Sequence, residues 1–457
     1  MSTPEPTMDP TRQSTRGRTR RAALATAAGL PAALSSAACL PGRGEGGPPA
    51  SKEPVTIRWS TWGNSANPFV QAAEQGLALF RQQQPHITVV PEPQEAGWQE
   101  KNVSQWVAGD GPDVSGATNH FLPTWSRKGL LLILDRRIKQ DFTARQIQDY
   151  VESHWRFFTT KERGQHALPM FLDTAALVFN KDLFRRAGVA LPDDTWDWNR
   201  QLEAMRRLTD PAQEQFGADI NTAIPRLQER IIQNGGWVVD PDDDTRCLLD
   251  QPPALEALRW VQERIWRDNV APQPQQKAGK NLPMLGKAGM WELGSWFLTR
   301  HVRDTVRGQY DWDVAPYPRQ RQRGTVATTD GWGIWTGTRA PDACWLLLRF
   351  LQTDEWYDIV MRIVGNQPPR KSLSDRWIRT VKQAIPELGD KNLGAFTDAK
   401  ARGYAFPNAV FRFDDDVRPL LQEAINKTVV TNEAPLVDTM RAAVAAANAR
   451  LKQLAGQ

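Results

Sequence analysis

Residues 166–196 read HALPMFLDTAALVFNKDLFRRAGVALPDDTW, and here an acid, a strand, a capped short helix and a turn follow one another without a break. The stretch 175–179 predicts a buried strand, because Ala, Leu, Val and Phe succeed one another with no polar residue to mark a solvent face. Asn180 is placed to N-cap a turn of helix over 181–187, its short side chain offering an oxygen to the free N–H groups of the first turn. Gly188 falls at C′, where a helix ends in the left-handed conformation, and Pro192 blocks continuation. Asp173 is the anomaly. A carboxylate between a Leu-Pro run and a buried strand has few structural reasons to be there, and it is able to accept two hydroxyls; a turn or helix-end acceptor is the structural alternative.

Upstream, residues 55–59 alternate in strand formers and residues 60–67 form a polar loop. A helix is predicted over 69–82, with Phe69, Ala72, Ala73, Leu77 and Phe80 on one face. Pro85 stops it, and Ile87, Thr88, Val89 and Val90 give a second strand. The order strand, helix, strand calls for a parallel pair joined by a right-handed crossover. Ligands in such sheets sit beyond the carboxyl ends of the strands, which points to the loop holding Trp62, Gly63 and Asn64. Residues 98–108 read as another helix. The turn GDGPDV at 109–114 follows, where Asp113 serves backbone donors, and Asn119, just past the next short strand, is positioned to touch a ligand. Downstream, Trp196 and Trp198 open a helix through Leu208, and further helices are expected over 228–236 and 254–266.

The opening stretch resembles the "LP…D…ALVYNKDLF…AG…PP.TW" segment of the extracellular solute-binding proteins of ABC importers, the family 1, maltose-binding-like group. Further segments extend the resemblance over nearly the whole chain after residue 53: GDGPDV at 109–114, LGKAGMWELGSW at 285–296, YDWDVAPYP at 310–318, DGWGI at 330–334 and GNQPPR at 365–370. Phe179 replaces the Tyr usual in the motif and removes one hydroxyl. The resemblance implies an α/β, two-lobe periplasmic-binding-protein-like fold of the maltose-binding type, with discontinuous lobes joined by hinge crossings. We expect the first lobe at 54–172 plus 319–366 and the second at 173–318 plus 367–457, with crossings near 171–175, 316–319 and 366–370. It also implies a monomer without cofactor that closes on a solute and docks on ABC permease subunits in the membrane.

Nineteen Trp among 457 residues is the compositional outlier. An indole offers a flat apolar platform to the C–H face of a sugar while Asp, Asn and Arg take the hydroxyls, so carbohydrate is the expected ligand. Most Trp serve burial; those in motif-matching loops are the candidates, namely Trp62, Trp237, Trp291, Trp296 and Trp332. Asn64, Asn119, Asp173 and Arg370 complete the candidate ligand contacts. Arg370, after two prolines at a crossing, suits either an anion, as in a polyol or glycerol phosphodiester ligand, or a salt bridge across the hinge. A secreted glycoside hydrolase is the rival from another class, and it requires two carboxylates on one cleft. The five His show no metal-ligand spacing, and no nucleophile or phosphate-loop motif occurs. Asp240 with Asp242, Asp243 and Asp244, and Asp414 with Asp415 and Asp416, read as solvated turns rather than metal sites.

The first residues read as an export signal, 1–39. Thr19-Arg20-Arg21-Ala22-Ala23-Leu24 resembles a twin-arginine motif, with an ordinary secretory signal as the alternative. Ser36-Ala37-Ala38-Cys39 resembles a lipobox lacking its Leu, so Cys39 is the candidate lipidation site on the outer face of the membrane. A Gly- and Pro-rich tether, 40–53, follows. Residues 1–38 hold five Arg against Glu5 and Asp9, so losing them takes the formal +5 to about +2, which gives no broad electrostatic case for nucleic acid. Cys247 and Cys344 are expected as buried free thiols. The roughly 405 residues beyond the tether exceed one comfortable core, which also argues for two lobes.

Overall fold

The computed structural model describes residues 53–117, 121–160 and 164–456. The export signal with Cys39, the tether up to residue 52, and Asn119 lie outside the described residues. Among the described residues no helix is long and apolar enough to cross a membrane.

Strand β1 (Val55–Thr61), helix α1 (Pro68–Gln83) and β2 (Ile87–Pro93) form the expected crossover unit, with β1 and β2 parallel from Val55 opposite Ile87 to Thr61 opposite Pro93. Helix α1 starts where Asn67 accepts the Phe69 N–H at 2.9 Å and Pro68 spends no donor. It buries the five predicted apolar residues. Helix α2 (Trp98–Val107) leads to β3 (Val114–Ala117), parallel to β1 on its other side.

The motif stretch builds β4 (Ala167–Asn180), every residue of which is buried, as a strand covered on both faces requires. It is far longer than the five residues predicted, because it continues through Pro169. That proline has no N–H for the ladder, and the neighbouring strand shifts register at Asp330/Gly331, beside it, so the missing donor interrupts nothing. Helix α3 (Lys181–Ala187) follows as read: Asn180 accepts the Asp182 and Leu183 N–H groups at 3.0 and 3.1 Å, and Gly188 ends the helix at φ 62°.

The rest of the chain supplies α4 (Trp198–Leu208), β5 (Phe216–Asp219), α5 (Ile224–Gln233), α6 (Pro252–Trp266), β6 (Ala288–Gly294), β7 (Trp312–Ala315) and β8 (Thr325–Ile334). Helices α7 (Pro341–Phe350), α8 (Asp354–Ile363), α9 (Ser374–Ala384) and α10 (Gly394–Ala401) precede β9 (Ala405–Pro407), α11 (Asp414–Ile425) and α12 (Leu436–Ala455). Helix α5 begins four residues earlier than predicted, since Pro225 occupies a first-turn position that needs no N–H.

The nine strands form one mixed sheet in the order β2-β1-β3-β8-β4-β6-β5, with β7 also on β4 and β9 on β8. Strand β4 joins its two halves by changing partners. Residues 167–174 pair antiparallel with β8, whereas Ala175–Phe179 pair with β6 and Leu177–Asn180 with β7. On the β1 side, α1 lies against α8 so closely that a Cβ on Gly76 would meet Trp356 at 2.5 Å. A second cluster gathers α5, α6, α11 and α12 around Leu227, Ile231, Leu258, Leu421 and Met440. Each such side chain contributes about 1.5–3 kcal/mol by leaving water. Cys247 and Cys344 are buried and unbridged, and burial pushes both thiols up to about 12.

Candidate functional site

Where β4 changes partners, a cavity of about 590 Å³ opens. Trp62, in the loop beyond the carboxyl end of β1, lines one side with Pro68 and Phe121. Asp173 on β4, Thr328 and Asp330 on β8 and Asn366 line it as well, and Asn221, Arg226, Trp296 and Arg300 come from the segments around β5 and β6.

Asp173 is 1% exposed and fully engaged. Its Oδ1 accepts Ser295 Oγ at 2.7 Å and the Gln367 N–H at 2.9 Å, and its Oδ2 accepts Asn366 Nδ2 at 2.6 Å. Burial raises its pKa, and these three donors with the nearby Lys400 cation counteract the rise without cancelling it. Lys400 on α10 is itself buried, its Nζ has no hydrogen-bond partner, and desolvation pushes it down to about 8. The Asp330 carboxyl makes no hydrogen bond or ion pair with any described residue. Burial, and secondarily the Asp173 charge, push it up to about 7. The cavity therefore presents one satisfied and one unsatisfied carboxyl group.

The aromatic platform is Trp296, half-buried beside Phe297 at 5.8 Å between ring centroids. It lies over the backbone at Gly294, where a Cβ would come within 2.1 Å of the indole, so only glycine fits. The Arg226 guanidinium carbon sits 4.7 Å from the Trp296 ring centroid. Arg226 is held by Glu292 at 2.9 Å and Glu229 at 3.5 Å. Burial would lower its pKa, and the two carboxylates more than offset that.

Of the residues singled out from sequence, Trp62, Asp173 and Trp296 meet in this cavity. Asn64 is exposed in the loop next to Trp62, and its carbonyl accepts the Asn67 N–H at 2.9 Å. Trp237 packs edge-on against Phe406 at 5.6 Å. Trp332 is fully buried, its ring 5.3 Å from Trp59 and 5.9 Å from Phe69, as a core side chain. Trp291, on β6, lines a smaller adjoining chamber. Arg370 ion-pairs with Asp149 at 2.8 Å and with Asp354, which matches the salt-bridge alternative and leaves its fork committed.

The run at 240–244 serves its own turn and neighbours, whereas Asp414, Asp415 and Asp416 are not a solvated turn as read but the first turn of α11, with Asp414 buried. Asp240 accepts the Asp242 N–H at 3.0 Å and pairs with Arg246, Asp243 accepts from Thr245, and Asp244 pairs with Arg412. Asp414 and Asp416 pair with Arg418 and Arg450. Asp113 accepts the Arg58 N–H at 2.8 Å and Thr338 Oγ1 at 2.6 Å, the structural role read for it.

Asp330, Asn366, Arg226 and Lys400 escaped the sequence reading. Asp330 lies in the DGWGI motif, two residues from Trp332, and strict alternation would put both on one face. Alternation holds: Asp330 lies opposite Phe171, and Phe171 and Trp332 both pack on Phe69, so Trp332 fills the core on the same face along which Asp330 lines the cavity.

A family model described as bacterial extracellular solute-binding protein matches residues 62–358. A binding protein of Brucella abortus is 24% identical over 258 residues, which covers 54% of this chain and 60% of that protein, so the chain spans about 60% of the length of the curated relatives it matches. Among solved structures, an ABC substrate-binding protein of Listeria monocytogenes in complex with cycloalternan superposes with a TM-score of 0.75 at 20% identity, covering 88% of this chain and 100% of that one. The cyclic alpha-maltosyl-1,6-maltose binding protein of Arthrobacter globiformis gives 0.73 at 19% identity, with 88% and 100% covered. At these identities the superpositions speak for the two-lobe, maltose-binding type of fold.

Proposed function

The chain belongs to the bacterial extracellular solute-binding protein family, and from that premise we propose that it binds a sugar or oligosaccharide between two closing lobes as the substrate-binding component of an ABC importer. The observation that carries this reading is the pairing, in one cavity, of the Trp296 and Trp62 rings with the polar groups of Asp330, Asn366 and Arg226. An indole covers the apolar face of a pyranose while carboxylates and amides take its hydroxyls. Asp330, whose carboxyl has no partner among the described residues, is free to bond a ligand hydroxyl, accepting when ionised and donating when protonated. The solved structures of similar fold bind cycloalternan and cyclic alpha-maltosyl-1,6-maltose, which supports a saccharide for this chain.

The partner change in β4 between Thr174 and Ala175 supports a hinge there, with lobes near 54–172 plus 319–366 and 173–318 plus 367–457. Closure about that point would bring Trp62 and Trp296 toward one ligand. The family is one of extracellular binding proteins rather than enzymes, and on this reading the chain works outside the cytoplasm as a monomer, anchored through a lipid on Cys39 after twin-arginine export, with permease subunits as its partners. A phosphodiester ligand loses its main support, because Arg370 is held by Asp149 and Asp354.

The test is intrinsic tryptophan fluorescence of the purified protein titrated with mono- and oligosaccharides, polyols and glycerol phosphodiesters, the mixtures then being analysed for breakdown. A saturable change with a saccharide that is recovered intact is expected. Cleavage of the saccharide, or saturation by a phosphodiester alone, would overturn the reading.

A further inference from the structure

Helix α5 carries Arg226, Glu229 and Arg230 at spacings of three and four residues, which place them side by side on one face. Charges at that spacing ordinarily mark the side of a helix that meets water, yet here Glu229 is 2% and Arg230 9% exposed. They are held inside by one another and by the sheet. Arg226 Nε pairs with Glu292 of β6 at 2.9 Å, and its Nη1 with Glu229 at 3.5 Å. Arg230 Nη1 donates to Gln201 Oε1 at 2.9 Å, with its guanidinium carbon 4.8 Å from the Trp260 ring centroid. Two guanidinium groups and two carboxyl groups thus gather as one cluster beneath the cleft wall.

Such a cluster is a poor source of stability, because desolvating each charge cancels most of the attraction and apolar side chains of the same volume commonly serve as well. What distinguishes it is where it ends. Arg226 lines the cleft, whereas Glu229 and Glu292 do not. The Arg226 guanidinium carbon stands 4.7 Å from the centroid of the Trp296 ring. That ring is half-buried, and its aromatic neighbour Phe297 is 45% exposed, so no tightly packed aromatic side chain braces it. A guanidinium is attracted to the π system of an indole, more strongly where water is excluded, and Arg226 is almost removed from water. Glu292 and Glu229 set where that cation stands.

We infer that Glu292 and Glu229 are positioning residues for the ligand platform: without lining the cleft themselves, they fix Arg226 against Trp296, and the indole keeps the attitude that stacking requires while that cation is held. This rests on the proposed reading of Trp296 as a saccharide platform. An ion cluster that served folding alone would leave Trp296 unmoved once stability was restored.

The test uses the purified protein labelled with 5-fluorotryptophan, the fluorine resonance of Trp296 being assigned by its loss in Trp296→Phe. Glu292→Met removes the acceptor and the charge, and it should shift or broaden the Trp296 resonance while those of the core indoles Trp59, Trp332 and Trp356 stay in place. Arg226→Met combined with Glu292→Met removes the pair together, keeps the charge balance of the cluster and covers the case in which the single variant does not fold. The same displaced resonance is expected there at a Tm near wild type. Calorimetric titration with maltotriose and cellotriose gives the second readout. For the trisaccharide that binds, both variants should lose about fivefold in affinity, and neither should lose more than about twofold when Trp296→Ala is already present, because the effect passes through the ring. An unmoved Trp296 resonance in the folded variants, or full additivity with Trp296→Ala, overturns the inference and leaves the cleft as a saccharide site. Silence toward both trisaccharides and the whole fluorescence panel overturns the saccharide reading instead, and the resonance alone then decides whether the two acids position the ring.

Discussion

Asp173→Ala strikes the point on which the fold and the cavity both depend. The substitution removes the acceptor of three buried donors, Ser295 Oγ, Asn366 Nδ2 and the Gln367 N–H, and takes from Lys400 the carboxylate whose charge favours its ammonium. Hydrogen bonds to a charged group are worth about 1.5–3 kcal/mol each, part of which returns as the side chains relax. Stranding a buried charge costs about 3–5 kcal/mol. These overlap, so about 3–5 kcal/mol is the expected total. With an unfolding entropy of about 2.1 cal/mol/K per residue over about 400 residues, the slope is about 0.85 kcal/mol/K, and Tm should fall by about 4–6 °C. The assay is differential scanning calorimetry at pH 6 and pH 9. Lys400 has its pKa lowered to about 8, so its ammonium is a burden below that value and absent above it. The sign follows: the loss should be larger at pH 6 than at pH 9. A Tm within about 1 °C of wild type at both values would refute the idea that this carboxylate fastens the crossing segments together.

Trp296→Ala should weaken saccharide binding about tenfold or more with little change in Tm, and Gly294→Val should do the same with the indole still present, because its Cβ occupies the ring's place; calorimetric titration reads both, and unchanged affinity in both removes the platform. Trp332→Ala should instead cost about 3–5 kcal/mol of stability, since the ring is core, and denaturant unfolding of a variant as stable as wild type would contradict that placement. Asp330 titrates near 7 folded against an ordinary value of 3.8, so protonation stabilises the folded protein below about pH 4 and that contribution is lost as pH rises through 7. Asp330→Asn is therefore expected to raise Tm at pH 8 and hardly at pH 4, and a pH-independent difference would show that the carboxyl is not strained.

What could be read in advance was local. Asn180, Gly188 and the apolar face of α1 act within one turn of their own chain, so spacing alone places them. The parallel pairing of β1 with β2 followed from element order. The cavity was legible only where an anomaly stood out, as with Asp173, or where an aromatic lay in a loop, as with Trp62 and Trp296. Arg370 illustrates the other side. Its fork suits an anion, yet its partners Asp149 and Asp354 lie 221 and 16 residues away, and no local pattern distinguishes such a pair from a ligand. Lys400 lies 227 residues from Asp173 on a short helix where lysine ordinarily faces water, and nothing around it signals burial.

The contrast between Asp173 and Asp330 shows what the fold adds to chemistry that sequence already contains. Both are acids inside strands of the central sheet, and alternation treats them alike. Strand β4 changes partners next to Asp173, so backbone and side-chain donors from Ser295, Asn366 and Gln367 converge there, and the carboxylate is consumed in fastening the segments together. Asp330 sits beside the slip in pairing where Met170 of β4 is the extra residue, and its carboxyl receives no donor among the described residues. The Asp330 carboxyl therefore faces the cavity without a hydrogen-bond donor among the described residues. A ligand hydroxyl that donates to Asp330 meets a group whose desolvation has already been imposed by folding, so the hydrogen bond it forms there gains more than the same bond made to a solvated carboxylate.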